Sequence, residues 1–136
     1  MSNGGHLYIE PSVLLAIGSY RQHYAEVHES GGFLVGYYKG IDLHVSHITT
    51  PFSKDKCGRY YFHRRDSRHV KLVSQWYKDS DGQVNCLGEW HTHPEKFPTP
   101  SGIDISGWKK FVGNRRGQKA IFFIAGTHGY WTGELK

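Results

Sequence analysis

Hydrophobic positions along the chain alternate between a period near four and a period of two. In PSVLLAIGSYRQHYAE, residues 11–26, Val13, Leu14, Ile17 and Tyr20 recur at helical spacing, and Pro11 stands where a first helical turn favours it. The pattern predicts a first helix there. GGFLVGYYKG and IDLHVSHIT then read as two strands joined at Lys39-Gly40. In the second of them Ile41, Leu43, Val45 and His47 alternate with Asp42, His44 and Ser46. GRYYFHR reads as one short aromatic strand. RDSRHVKLVSQWYKDSDG puts Val70, Val73, Trp76 and Tyr77 on one helical stripe and stops at Asp81-Gly82. QVNCLGEWHTH is strand-like, and SGIDISGWKKFVGN returns to helical spacing through Ile105, Trp108 and Val112. KAIFFIAGT is a continuous apolar run, as expected of a strand buried on both faces, and GYWTGELK closes the chain as a last strand. Interspersed helices and strands with one early hairpin predict an α/β (α+β) fold, a three-layer α-β-α sandwich around a mixed sheet.

The 136 residues are expected to form one domain, 1–136, with a core that needs no staples. No apolar run approaches the ~20 residues that span a bilayer. The start, MSNGGHLYIEP, has no basic segment followed by an apolar one. A cytoplasmic protein without a membrane partner is therefore expected. Cys57 and Cys86 are too few for a disulfide framework and read as reduced thiols. They also exclude a cysteine-rich zinc site, so any metal must be held mainly by histidine and carboxylate. The formal charge of +5 is concentrated between Lys54 and Lys71, where seven Lys and Arg face only Asp55 and Asp66. Tyr60, Tyr61 and Phe62 lie inside that stretch. A solvated basic face, an acidic protein partner and a nucleic acid all fit it.

The densest chemistry is in HTHPEKFPTPSGID, residues 91–104. Residues i and i+2 of a strand point to one face, so His91 and His93 project together and two imidazoles share one locus. A catalytic zinc takes three protein ligands and leaves its fourth position to water. Asp104 is well placed to be the third, three residues after Ser101 in a helical first turn. Ser101 and Asp104 also satisfy the spacing of a helix capping box, which by itself accounts for both. Among carboxylates the local pattern points to Glu89, on the same strand face as the two histidines, as a candidate fourth ligand, a carboxylate behind the ligands, or the base.

The full spacing, His-x-His-x7-Ser-x2-Asp with Pro94 after the second histidine, resembles the JAMM signature of the JAB/MPN family of zinc metallopeptidases. ESGGFLVG, Glu29 to Gly36, resembles that family's upstream glutamate motif, and the order of elements is similar over most of the chain. The resemblance implies a cytidine-deaminase-like α-β-α sandwich, Zn2+ held by His91, His93 and Asp104, Glu29 as general acid/base, and Ser101 as oxyanion stabiliser. It thereby places the base at Glu29 in preference to Glu89. It implies an isopeptidase acting at the C-terminus of a ubiquitin-like or conjugated protein. GEWHTHPE and PTPSGID most resemble small stand-alone bacterial JAB proteins of ubiquitin-like conjugation and anti-phage CBASS operons, thought to release a conjugated nucleotidyltransferase from its target. Recognition of an extended substrate tail is expected along 51–63, with Arg59, Tyr60 and Phe62 as substrate-binding residues. Two other classes compete. One is a RadC-like JAB domain associated with DNA, suggested by the basic stretch, although nucleic acid is not the expected partner. The other is a metal-free MPN scaffold, which the complete ligand set argues against. A zinc nucleoside deaminase wants His-x-Glu and Pro-Cys-x-x-Cys, and the chain has neither.

Overall fold

A computed structural model describes residues 1–136. Its organising element is a six-stranded mixed sheet in the order β1-β3-β2-β6-β7-β8. The strands are β1 (Leu7–Ile9), β2 (Gly31–Lys39), β3 (Asp42–Ile48), β6 (Asn85–Thr92), β7 (Ala120–Ala125) and β8 (Tyr130–Leu135). The connection between β2 and β3 is the expected hairpin, with Gly40 at φ 64°, a left-handed conformation that glycine adopts without a Cβ clash. β1 pairs in parallel with β3, and β6 in parallel with β7, while the other neighbours are antiparallel.

Alternation along β7 shows how the layers are built. Ile121, Phe123 and Ala125 pack with Val13 and Ile17 of α1 (Pro11–Gly18) on one face. Ala120, Phe122 and Ile124 pack with Trp108 and Val112 of α3 (Gly102–Gly113) on the other. On that second face α2 (Arg68–Asp79) sets Val73 against Phe33 and Val35 of β2. One helix lies on one side and two on the other, which is the expected three-layer sandwich. Every residue of β7 is buried, as its unbroken apolar run requires. Trp108 stacks on Phe122 at 4.4 Å and on Trp131 at 5.4 Å, and so seats α3 against β7 and β8. No helix is long and apolar enough to cross a membrane. Cys57 and Cys86 are both free thiols.

Four local expectations need correction. The first helix stops at Gly18 instead of running to residue 26, because the apolar spacing lapses into polar residues and Gln22 is used elsewhere. β1 was not anticipated, being only three residues long. GRYYFHR is not one strand: β4 (Lys56–Gly58) and β5 (Tyr61–His63) pair with each other as a separate two-stranded hairpin. On α2 the inward residues are His69 and Val73, whereas Val70 and Tyr77 are exposed. His69 and Val73 are i, i+4 neighbours and share a stripe that a search for apolar residues alone overlooks.

Candidate metal centre

β6 carries His91 at its C-terminal end, with His93 the first residue beyond it, on the face covered by α3, where the His91 ring lies 6.1 Å from Trp108. The strand order delivers the other groups. Gly31 is paired with His91 across β2 and β6, so the residues just before β2 stand beside the histidines. Glu29 is one of them, and a donor atom from each of Glu29, His91 and His93 falls within 4.8 Å of the others. From the opposite side α3 brings Asp104 on its first turn.

The convergence is tight. His91 Nε2 and His93 Nε2 are 3.0 Å apart, Asp104 Oδ2 is 3.1 Å from His93 Nε2, and Asp104 Oδ1 is 3.3 Å from His91 Nε2. In a tetrahedral zinc site with bonds of 2.0–2.1 Å, neighbouring ligand atoms stand about 3.3 Å apart. The three observed separations therefore suit a small tetrahedral cation. Unprotonated, all three groups aim lone pairs at one point, so the cluster requires a positive charge there, carried by protons or by a metal ion.

Ser101 caps α3 reciprocally with Asp104. Asp104 N–H donates to Ser101 Oγ at 3.0 Å and Ser101 N–H donates to Asp104 Oδ2 at 2.8 Å. The capping box and the convergence of Asp104 on the histidines thus coexist in one carboxylate. The cap uses the Ser101 oxygen only as an acceptor, so its hydroxyl proton stays free to donate.

Glu29 is buried, at 5% exposure, and its placement is over-determined by the backbone. Its N–H donates to Gly58 O of β4 at 2.7 Å. The adjacent Ser30 N–H donates to Thr92 Oγ1 at 3.0 Å, and Thr92 N–H donates back to Ser30 O at 2.9 Å. Thr92 in turn donates to the buried Gln22, whose amide donates to Val27 O and Arg59 O at 3.0 and 2.8 Å. Gly31 and Gly32 permit this approach: a Cβ on Gly31 would meet the Phe62 ring at 2.7 Å, and one on Gly32 would meet Thr49 O at 2.1 Å. The glycine pair of ESGGFLVG is there for closeness. Gln22 and Thr92 escaped sequence reasoning, since no spacing rule connects residues 70 apart.

Electrostatics follow the geometry. Burial pushes the Glu29 carboxyl up from 4.5 to about 8, with the His93 charge pulling down and Asp104 and Glu95 pushing up. Burial also works against ionised Asp104, but hydrogen bonds from His91 and His93 overcome it and hold that carboxyl well below the usual range. For His93 burial disfavours the cation, yet its hydrogen bond to Asp104 wins and raises it.

These groups open onto a cleft of about 680 Å³. Glu29, His91, Ser101 and Asp104 line it, with Tyr60 and Phe62 of the hairpin on one wall and Ile103 and Lys110 of α3 on another. Of the three expected substrate residues, Tyr60 and Phe62 border the cleft, while Arg59 lies outside its lining with its guanidinium 5.4 Å from the Tyr60 ring centre. Glu89 also lines it, but it faces Arg64 at 3.5 Å, and burial raises its carboxyl. Of the basic stretch, Lys54, Lys56, Arg65, Arg68 and Lys71 are exposed, and only Arg59 and Arg64 are partly covered. Arg64 lies over the Phe33 ring at 3.8 Å, and Arg68 pairs with Asp66 at 2.7 Å.

Residues 11–133 match the family model of prokaryotic homologs of the JAB domain. The chain belongs to this family. Among curated proteins, this JAB-domain chain is 37% identical over 129 residues to a CD-NTase/cGAS isopeptidase of Escherichia coli (strain TW11681), covering 95% of this chain and 81% of that one. It is 34% identical over 122 residues to a protein of the same name from Vibrio cholerae, covering 90% and 77%. Among solved structures, the solution structure of a Desulfitobacterium hafniense protein superimposes with a TM-score of 0.62 at 16% identity, covering 94% of this chain and 82% of that one. At that identity the likeness is one of fold.

Proposed function

We propose that this JAB domain is a zinc-dependent isopeptidase that cleaves after the C-terminus of a conjugated protein, and that its substrate is a CD-NTase joined through its C-terminus to a target, in anti-phage CBASS signalling. The observation that carries the reading is the convergence of His91, His93 and Asp104 at 3.0–3.3 Å. The name shared by the Escherichia coli and Vibrio cholerae relatives, CD-NTase/cGAS isopeptidase, supports the substrate class.

His91, His93 and Asp104 would hold the ion. When bound, zinc supplies a water acidic enough to ionise near neutral pH and a Lewis acid for the carbonyl. Glu29, at the floor of the cleft, accepts the proton that the attacking water loses and passes it to the leaving amine. Its burial favours the protonated form, the form that hands the proton to the leaving amine. Ser101 directs its free hydroxyl proton at the developing oxyanion, a donor worth ~2.7–4 kcal/mol in comparable sites. The hairpin and the α3 wall receive the extended tail, with Tyr60, Phe62 and Ile103 giving apolar contact and Arg59 at the rim.

The test is metal content beside cleavage of a CD-NTase fusion. Wild-type protein should hold one zinc per chain and release the fused partner. Asp104→Ala should lose both, with cleavage falling by at least ~10³-fold, since the ion and its water go together. Full zinc in Asp104→Ala protein would overturn the ligand set, and zinc-loaded wild type that leaves every C-terminal fusion intact would overturn the activity.

A further inference from the structure

His93 differs from His91 in what lies behind it. Its Nδ1 is 2.8 Å from Glu95 Oε1, while the structure gives the Nδ1 of His91 no protein partner. A carboxylate at neutral pH only accepts, so the Nδ1 of His93 must be the donor. That choice makes Nδ1 the protonated nitrogen of the neutral ring, so Nε2 is the one left to face His91 and Asp104 and to take a metal ion.

Glu95 is half-exposed, and a surface glutamate would ordinarily wander. Here its backbone is pinned on both sides. His93 N–H donates to Ala125 O at 3.0 Å and Thr127 N–H donates to Glu95 O at 2.7 Å. His128 and Gly129 N–H both donate to Lys96 O, at 3.0 and 2.9 Å. The strap between β6 and α3 is thereby sewn to the turn between β7 and β8. Its closeness shows at Gly126, where a Cβ would lie 2.5 Å from Glu95 O. The carboxylate is presented to His93 from a fixed backbone, and the two ring nitrogens of His93 are divided between Glu95 outside and the converging cluster inside.

We infer that Glu95 is a positioning residue that orients His93 and keeps its Nε2 available to a metal ion. The inference rests on reading the cluster as a metal centre. Carboxylates that accept the outer N–H of a ligating imidazole raise its basicity and fix its ring, and their loss weakens metal affinity 10–100-fold in comparable sites.

The experiment measures zinc affinity by chelator competition for wild type, Glu95→Ala and Glu95→Gln, beside the thermal midpoints of the metal-free proteins. Glu95→Ala should bind zinc ~10–100-fold more weakly. Glu95→Gln retains an acceptor oxygen and should recover most of that loss. The metal-free midpoints should be nearly equal, because the side chain is half in solvent and the strap is held by backbone. Equal affinity in Glu95→Ala and wild type overturns the inference, as does a loss that Gln fails to recover or one that tracks a lowered midpoint. If wild type binds no zinc, or His93→Ala binds it as well as wild type, the metal-centre reading itself fails and the role of Glu95 falls with it.

Discussion

Two histidine-carboxylate clusters lie on the same side of this sheet, and they are built on opposite principles. In the first, His69 is wholly buried, with Nδ1 2.6 Å from Thr49 Oγ1 and Nε2 2.6 Å from Asp55 Oδ2. Each remaining lone pair there is met. Thr49 Oγ1 accepts from Phe33 N–H, and Asp55 accepts from the N–H groups of Phe52, Arg65 and Asp66. In the second, His91, His93 and Asp104 converge at one point, and nothing but a proton on one of the rings or a cation can lie between them. A satisfied cluster is a pillar: it ties the segment carrying the β4–β5 hairpin to α2 and β2. A convergent cluster needs a positive charge from outside its neutral side chains, a proton or a metal ion, and so marks the candidate site. Both hold a histidine beside an aspartate, and only the count of donors against acceptors distinguishes them.

The largest effect that separates them is on folding. His69→Ala removes a wholly buried ring together with one hydrogen-bond partner each from Asp55 and Thr49, so it should destabilise by about 3–5 kcal/mol. Urea unfolding of the metal-free protein measures this, and His93→Ala measured alongside should show far less. Similar losses from the two substitutions would erase the distinction between pillar and site.

The pillar was also the harder cluster to see in the sequence. The His-x-His pair and the Ser101–Asp104 cap are local patterns, legible because strand and helix periods fix which side chains share a face. The fully apolar β7 and the hairpin at Gly40 were legible for the same reason. His69 meets Asp55 across 14 residues and Thr49 across 20, inside a stretch whose charge suggests solvent. No period links them, and the same stretch hid the break between β4 and β5. Glu29 shows the limit most clearly. Local spacing favoured Glu89, which the fold couples to Arg64, and only resemblance to a known motif pointed to Glu29, more than sixty residues before the histidines.

Glu29 sharpens the contrast in the other direction. A pillar residue stabilises the fold, whereas a buried carboxyl such as Glu29 strains it when ionised. Its folded pKa of about 8 lies above the ordinary 4.5, so the folded state favours the protonated form. The stability tied to that form is complete below the unfolded value and is lost as pH rises through the folded one. Glu29→Gln should therefore stabilise the metal-free protein, by about 3 kcal/mol at pH 7 from 1.36 kcal/mol per unit, and the gain should vanish near pH 4.5. The same variant should keep zinc and lose cleavage by ~10²–10⁴-fold. A variant destabilised at pH 7 would place Glu29 with the pillar.

The smallest expected effect lies at the acid end, where the pillar segment should be the more sensitive. Asp66 accepts from Lys54 N–H, from Arg68 N–H and from the Arg68 guanidinium, which pairs with it at 2.7 Å. The Arg68 hydrogen bonds outweigh burial and hold its carboxyl far below 3.8, and Asp55 is lowered as well, its backbone and His69 hydrogen bonds together outweighing its burial. A depressed carboxylate contributes stability that is fully present above its unfolded value and is lost as pH falls through its folded one. Both therefore act in the window below about pH 4, opposite in sign to Glu29 and on the other side of neutrality. Asp66→Asn removes one of the two protons taken up there. Its thermal midpoint, followed from pH 5 to pH 2, should fall less steeply than that of wild type, even though it starts lower at pH 5 from the lost pairing with Arg68. Parallel slopes would mean that Asp66 stays ionised in the acid-unfolded chain as readily as in the folded one, and that the hydrogen bonds around it set the loop's shape without coupling it to pH.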